Sequence, residues 1–241
     1  MSMKKHLTIM QLYPDDMNIY GDWGNTLTLM KRAQWHGYTT DLVNYNVGDS
    51  FPSDIDIVVG GGGQDSGQVK IQEDLLARAE VLRRLADDDV PMLVVCGLYQ
   101  LFGRFFKTQA GEIIHGIALF DAETHAGGER LIGNITLEST QFGDIIGYEN
   151  HSGQTFLGSA ASPLGRVVRG AGNNGQDGSE GVVFRHVIGT YLHGSLLPKN
   201  PAIADFLIAQ AATKKYGDFT PLACDDAFAT QARLIASKRP R

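Results

Sequence analysis

An α/β fold with a largely parallel central sheet is predicted for this 241-residue chain by three observations. Short apolar runs alternate with segments of helical period through the first half. The runs are continuous rather than alternating, as parallel strands covered on both faces require. Glycines cluster where the runs end, at the point where such sheets turn into loops. No repeat or linker interrupts the chain, so residues 1–241 read as one domain.

Residues 6–13 read as the first strand. A helix follows from Asn25, a capping residue, to His36 and is closed by Gly37, with Leu27, Met30 and Ala33 on one face. Asp56-Ile57-Val58-Val59 is a buried strand ending in Gly60-Gly61-Gly62-Gly63. Leu75, Leu76, Ala79, Leu82 and Leu85 keep helical spacing. Pro91-Met92-Leu93-Val94-Val95 is a further strand, followed by a helix over residues 98–106. In the second half, residues 117–120, 132–137, 166–168 and 182–191 read as strands between glycine-rich turns, the longest over residues 170–178. Asn200-Pro201 starts a helix that runs to about Tyr216 and ends at Gly217. A last helix covers residues 226–237, ahead of a frayed basic tail at 238–241.

Lys+Arg total 21 against 27 Asp+Glu, a net charge of −6. A mildly acidic chain without a basic cluster argues against nucleic acid as partner. Cys96 and Cys224 are too few for a disulfide framework, and the C-x-x-C spacing of zinc sites is absent. A reducing compartment and no metal site are therefore expected. Lys4 and Lys5 imitate the start of a signal peptide, but His6, Thr8 and Gln11 break the apolar stretch and Pro14-Asp15-Asp16 stops it. No apolar run reaches the length of a membrane span. The expectation is a cytoplasmic protein without membrane insertion.

Cys96 carries the strongest chemical signal. It follows an apolar strand, precedes Gly97 and stands where a helix begins. That is the layout of a nucleophile elbow, a sharp strand-to-helix turn holding a side chain exposed at the carboxyl end of a sheet. A helix N-terminus favours the thiolate, and the backbone N–H after the nucleophile can stabilise an oxyanion. The elbow alone leaves open that Cys96 is a small buried apolar residue. The glycines at 60–63 end a neighbouring strand, where backbone N–H groups can approach a substrate carbonyl, or where a turn merely needs freedom. No Gly-Lys-Ser/Thr follows them, so a phosphate loop is excluded. A cysteine nucleophile needs a base. Of the seven histidines, His193 ends a strand, in Gly189-Thr190-Tyr191-Leu192-His193-Gly194, and is free to point into a cleft.

The two segments together, Cys96-Gly97-Leu98-Tyr99-Gln100 and Gly189 to Gly194, resemble the class I glutamine amidotransferases of the cobyric acid synthase type. Gly61-Gly62-Gly63-Gln64-Asp65 resembles the oxyanion loop of that branch. Three further segments narrow the likeness: Asn18-Ile19-Tyr20-Gly21-Asp22-Trp23-Gly24-Asn25, Gly147-Tyr148-Glu149-Asn150-His151 and the residues from Tyr191 to Asn200. They are similar to the glutaminase subunits of lipid II isoglutaminyl synthases. The resemblance implies a three-layer, flavodoxin-like fold. It also implies Cys96 as nucleophile, His193 as general acid/base, Arg130 as clamp for the α-carboxylate of L-glutamine, and Gly62 and Gly97 as oxyanion donors. It further implies a Mur-ligase-like partner holding ATP and Mg, no cofactor in this chain, and ammonia delivery to the D-glutamate α-carboxylate of lipid II at the inner face of the membrane. Without the resemblance, Arg130 reads as an ordinary loop cation.

One departure stands out. The usual H-x-E of these enzymes is His193-Gly194-Ser195 here. A serine cannot supply the charge that stabilises an imidazolium. The acid must come from Asp22, Glu149, Asp65 or the partner. Amidation of a corrinoid ring is a second reading, against which stands the absence of a phosphate-loop domain ahead of the amidotransferase segment. A non-catalytic scaffold is a third, against which stands the joint presence of Cys96 and His193.

Overall fold

The computed structural model describes residues 5–193 and 195–240; Lys4, Gly194 of the histidine segment and Arg241 of the tail lie outside them. The first half contains β1 (His6–Leu12), α1 (Trp23–Trp35), β2 (Thr39–Tyr45), β3 (Ile57–Gly60), α2 (Asp65–Ala77), α3 (Ala79–Asp87), β4 (Met92–Val95) and α4 (Gly97–Phe102). Nine strands follow: β5 (Phe105–Lys107), β6 (Ile113–His115), β7 (Ala122–Ser139), β8 (Gly143–Leu157), β9 (Gly165–Arg169), β10 (Ser179–Glu180), β11 (Val182–Phe184), β12 (Val187–Thr190) and β13 (Leu192–His193). The last elements are α5 (Leu196–Lys199), α6 (Pro201–Tyr216) and α7 (Ala227–Ser237).

The first sheet has the order β11-β12-β4-β3-β1-β2. Its neighbours pair in parallel except β11, an antiparallel edge. Every residue of β3 and β4 is buried, as their unbroken apolar sequences require. From β1 the chain winds outward to β2 and then back past β1 to β3 and β4. Such a reversal opens a crevice at the carboxyl ends of the strands. The second sheet is built on the long hairpin of β7 and β8 and is mostly antiparallel. The chain passes from the first sheet to the second between β12 and β13, where Leu192 and His193 pair with Glu149 and Tyr148.

α6 buries Ile203, Ala204, Leu207, Ile208, Ala211 and Ala212, one face at helical spacing. Each buried Leu or Ile there contributes about 1.5–3 kcal/mol. Pro201 opens the helix, and Gly217 closes it at φ +82°, a left-handed conformation that suits glycine.

Several expectations are corrected. α1 begins at Trp23, two residues before Asn25, because Asn25 is buried and its Oδ1 accepts the Leu197 N–H. Its inner face is Asn25, Thr26, Leu29, Arg32 and Ala33, while Leu27 is exposed. α4 stops at Phe102, and Phe105 to Lys107 form a strand instead. Residues 117–120 form no strand; their N–H groups bond the carbonyls of Leu101, Phe102 and Gly103 at the end of α4. Residues 182–191 fold into the β11–β12 hairpin, turning at Arg185, with φ +51°. The tail is anchored where Asn134 Nδ2 donates to the Pro240 carbonyl at 2.6 Å. Among the described residues, no helix is long and apolar enough to cross a membrane.

Candidate active site

Cys96 follows β4 directly and adopts φ +51°, ψ −106°, outside the wells open to ordinary residues. Such a conformation costs about 1–3 kcal/mol and persists only where the surroundings fix it. They do: the Cys96 N–H donates to the Thr190 carbonyl at 2.9 Å, and the Cys96 carbonyl accepts the Gln100 N–H at 2.9 Å. The result is the strand–elbow–helix geometry read from the sequence, with α4 starting at Gly97.

His193 arrives from the other sheet. Its side chain and that of Asp22 are each 1% exposed, and Nδ1 lies 3.4 Å from Asp22 Oδ1. Burial disfavours the charged ring, but Cys96 and Asp22 outweigh it and raise His193 to about 10. Gly62 sits amid the three. A Cβ there would lie 2.8 Å from His193 Cε1, 3.0 Å from Cys96 Cβ and 3.4 Å from Asp22 Oδ2. Only glycine leaves room for the thiol, imidazole and carboxylate to converge.

Of the three acids considered within the chain, Asp22 has a carboxylate oxygen 3.4 Å from His193 Nδ1. Glu149 is fully buried, but its oxygens accept the N–H groups of Ala171 and Gly172, each at 2.8 Å. Asp65 opens α2 at the rim of the cleft. Ser195 is occupied elsewhere, its Oγ donating to the Gly21 carbonyl at 2.8 Å. Gly62, expected as an oxyanion donor, has its N–H engaged within the site. Its N–H donates to Asp22 Oδ2 at 2.7 Å. Gly63, one residue on, lines the cleft beside Cys96.

The cleft occupies about 400 Å³. Arg130 lies across it from Cys96, on a break in the β7–β8 register between Ala126 and Leu131. Its Nε donates to Asn150 Oδ1 and its Nη2 to the Tyr20 hydroxyl, both at 2.6 Å. The Nη1 edge faces neither partner and suits a planar carboxylate.

Sequence reading did not single out several other residues of the cleft. Gln68 Nε2 donates to Gln100 Oε1 at 2.9 Å, and Gln100 Nε2 to the Tyr191 hydroxyl at 3.1 Å. His151 stacks on Tyr191 with centroids 3.6 Å apart. Burial drives His151 down to about 3, with the charges of His193 and Arg130 adding and the bond to the Gly153 carbonyl opposing, so it is neutral. Tyr20, Gln100, Asn150 and His151 all stand within segments that carried the family likeness, which was the signal available.

Residues 8–201, most of the chain, match the sequence model of the CobB/CobQ-like glutamine amidotransferase domain. The chain belongs to this amidotransferase family. The amidotransferase is 36% identical over 234 residues to the lipid II isoglutaminyl synthase (glutamine-hydrolyzing) subunit GatD of Staphylococcus aureus, covering 97% of this chain and 96% of the relative. It is 38% identical over 216 residues to the protein of the same name from Streptococcus pneumoniae, covering 88% and 82%. Among solved structures it resembles PurLQS from Thermotoga maritima, with TM-score 0.60 at 15% identity over 88% of this chain and 99% of that one. At that identity the likeness speaks for the fold, and it matches the three-layer class predicted from sequence.

Proposed function

We propose that this amidotransferase is the glutaminase subunit of a lipid II isoglutaminyl synthase. The observation that carries the reading is the convergence of Cys96, His193 and Asp22 around Gly62, in a cleft whose far wall is Arg130. Near-complete coverage of the two GatD relatives supports the choice of acceptor. Arg130 holds the α-carboxylate of L-glutamine with its free edge. The Cys96 thiolate attacks the side-chain carboxamide carbon, and N–H groups of Gly97 and Gly63 stabilise the tetrahedral oxyanion. His193 gives its proton to the departing nitrogen, leaving a γ-glutamyl thioester and ammonia. His193 then takes a proton from water, which attacks the thioester and releases glutamate and the thiolate. Asp22 keeps the ring oriented and stabilises its charged form.

Amide formation from a carboxylate needs activation, so the reading includes a Mur-ligase-like partner that binds ATP and Mg and presents the D-glutamate α-carboxylate of lipid II. This chain, a single domain without a cofactor of its own, works in the cytoplasm at the inner face of the membrane. The test is ammonia release from L-glutamine by the full chain, alone and with the partner, and D-isoglutamine formation by the pair. Absence of glutamine-dependent ammonia from both preparations overturns the reading.

A further inference from the structure

The segment between β1 and α1 passes over the cleft and is tied down along residues 18 to 22. Asn18 Oδ1 accepts the Trp23 N–H at 2.8 Å, and the Ile19 N–H donates to the Gly62 carbonyl at 3.0 Å. The Gly21 carbonyl accepts Ser195 Oγ at 2.8 Å, and Asp22 accepts the Gly62 N–H at 2.7 Å. Between these ties stands Tyr20 at φ +64°, a left-handed conformation that is unfavourable for an aromatic residue. The strap imposes it, and the outcome is a defined placement of the side chain. The Tyr20 hydroxyl accepts from Arg130 Nη2 at 2.6 Å, while its ring stands edge-on to His193 with centroids 5.0 Å apart at 71°. Tyr20 is 44% exposed, so core packing does not account for it.

We infer that Tyr20 is a positioning residue for the donor amino acid: its hydroxyl, with Asn150, fixes the Arg130 guanidinium so that the free edge is presented to the α-carboxylate. The inference rests on the glutamine reading above. An Arg side chain on a bulge has many rotamers, and anchoring two of its donor atoms removes that freedom before substrate arrives. The ring has a second role in covering His193. The hydroxyl and the ring are therefore separable by mutation.

The experiment uses the full chain and measures inactivation of Cys96 by two alkylating agents. One is 6-diazo-5-oxo-L-norleucine, a glutamine analogue that carries the α-carboxylate. The other is iodoacetamide, which carries none and reports thiol reactivity alone. Tyr20→Phe is expected to slow the analogue at least fivefold with the iodoacetamide rate within twofold. Arg130→Ala slows the analogue further, and adding Tyr20→Phe to it is expected to change the rate less than twofold, because the hydroxyl acts through Arg130. Tyr20→Ala adds a change in the iodoacetamide rate as the cover of His193 is removed. An unchanged analogue rate in Tyr20→Phe, an equal fall for both agents, or an additive double variant overturns the inference. A wild-type chain that reacts with the analogue no faster than with iodoacetamide overturns the glutamine reading itself.

Discussion

Asp22 and His193 lie 171 positions apart in sequence, yet Asp22 Oδ1 stands 3.4 Å from His193 Nδ1 while Oδ2 is bonded to Gly62. One carboxylate thus reaches both the His193 ring and the glycine loop beside Cys96. Under the glutaminase reading proposed above, Asp22 stands where the acid of the H-x-E pattern would act on His193.

Asp22→Asn is expected to lower glutaminase kcat strongly while KM for glutamine changes little. The corresponding change in a serine-protease triad costs about 10⁴ in kcat, which sets the upper scale. Measurements on the full chain, with and without the partner, decide between acids: a variant whose rate is low alone but as fast as wild type with the partner would place the acid on the partner.

Cys96→Ser abolishes ammonia release while circular dichroism and melting stay close to wild type, since a serine hydroxyl with the same base is a far weaker nucleophile. Cys224→Ser is nearly silent. Cys224 is a half-buried thiol 3.8–3.9 Å from the His36 ring, outside the cleft. Near-normal turnover by the folded Cys96→Ser chain would return that thiol to a packing role.

Arg130→Ala raises KM for glutamine, and Arg130→Lys restores it only in part. Lysine keeps the charge but loses the planar fork held by Asn150 and Tyr20. Charge-assisted hydrogen bonds contribute roughly 1.5–3 kcal/mol, which corresponds to about a ten- to hundredfold loss in kcat/KM. Steady-state kinetics of both variants provide the measurement.

His193 is raised from 6.5 to about 10, so the folded protein holds a proton there that the unfolded chain gives up. The stabilisation is full below pH 6.5 and is lost as pH rises through about 10. Melting temperature is expected to fall across that window in wild type and to fall less in His193→Gln. Equal slopes for the two proteins would mean that the ring does not gain a proton on folding.

The parallel half of the fold was legible because β3 and β4 are apolar at every position, and the elbow because Cys96 joins a strand to a helix within two residues. β2 left no such trace, since most of its residues are partly exposed. α1 misled in the same way: its inner face includes Asn25, Thr26 and Arg32, and the buried Arg32 is balanced by Asp205 and Asp226 from distant parts of the chain. In the site, Cys96 and His193 stood out from local context. Arg130 stands at a register break, and Asp22 comes within 3.4 Å of His193 from 171 positions away in the chain. Neither is visible in a linear pattern.

Cys96 rides on one sheet, and His193 and Arg130 on the other, with the crossing from β12 to β13 as the joint between them. Catalytic alignment is therefore a measure of how the two sheets are docked, more than of either sheet's own integrity. A substitution buried far from the cleft that lets one layer slip by a fraction of an ångström will silence the enzyme while the chain still melts cooperatively. Whatever grips both layers at once can tune the rate without touching glutamine.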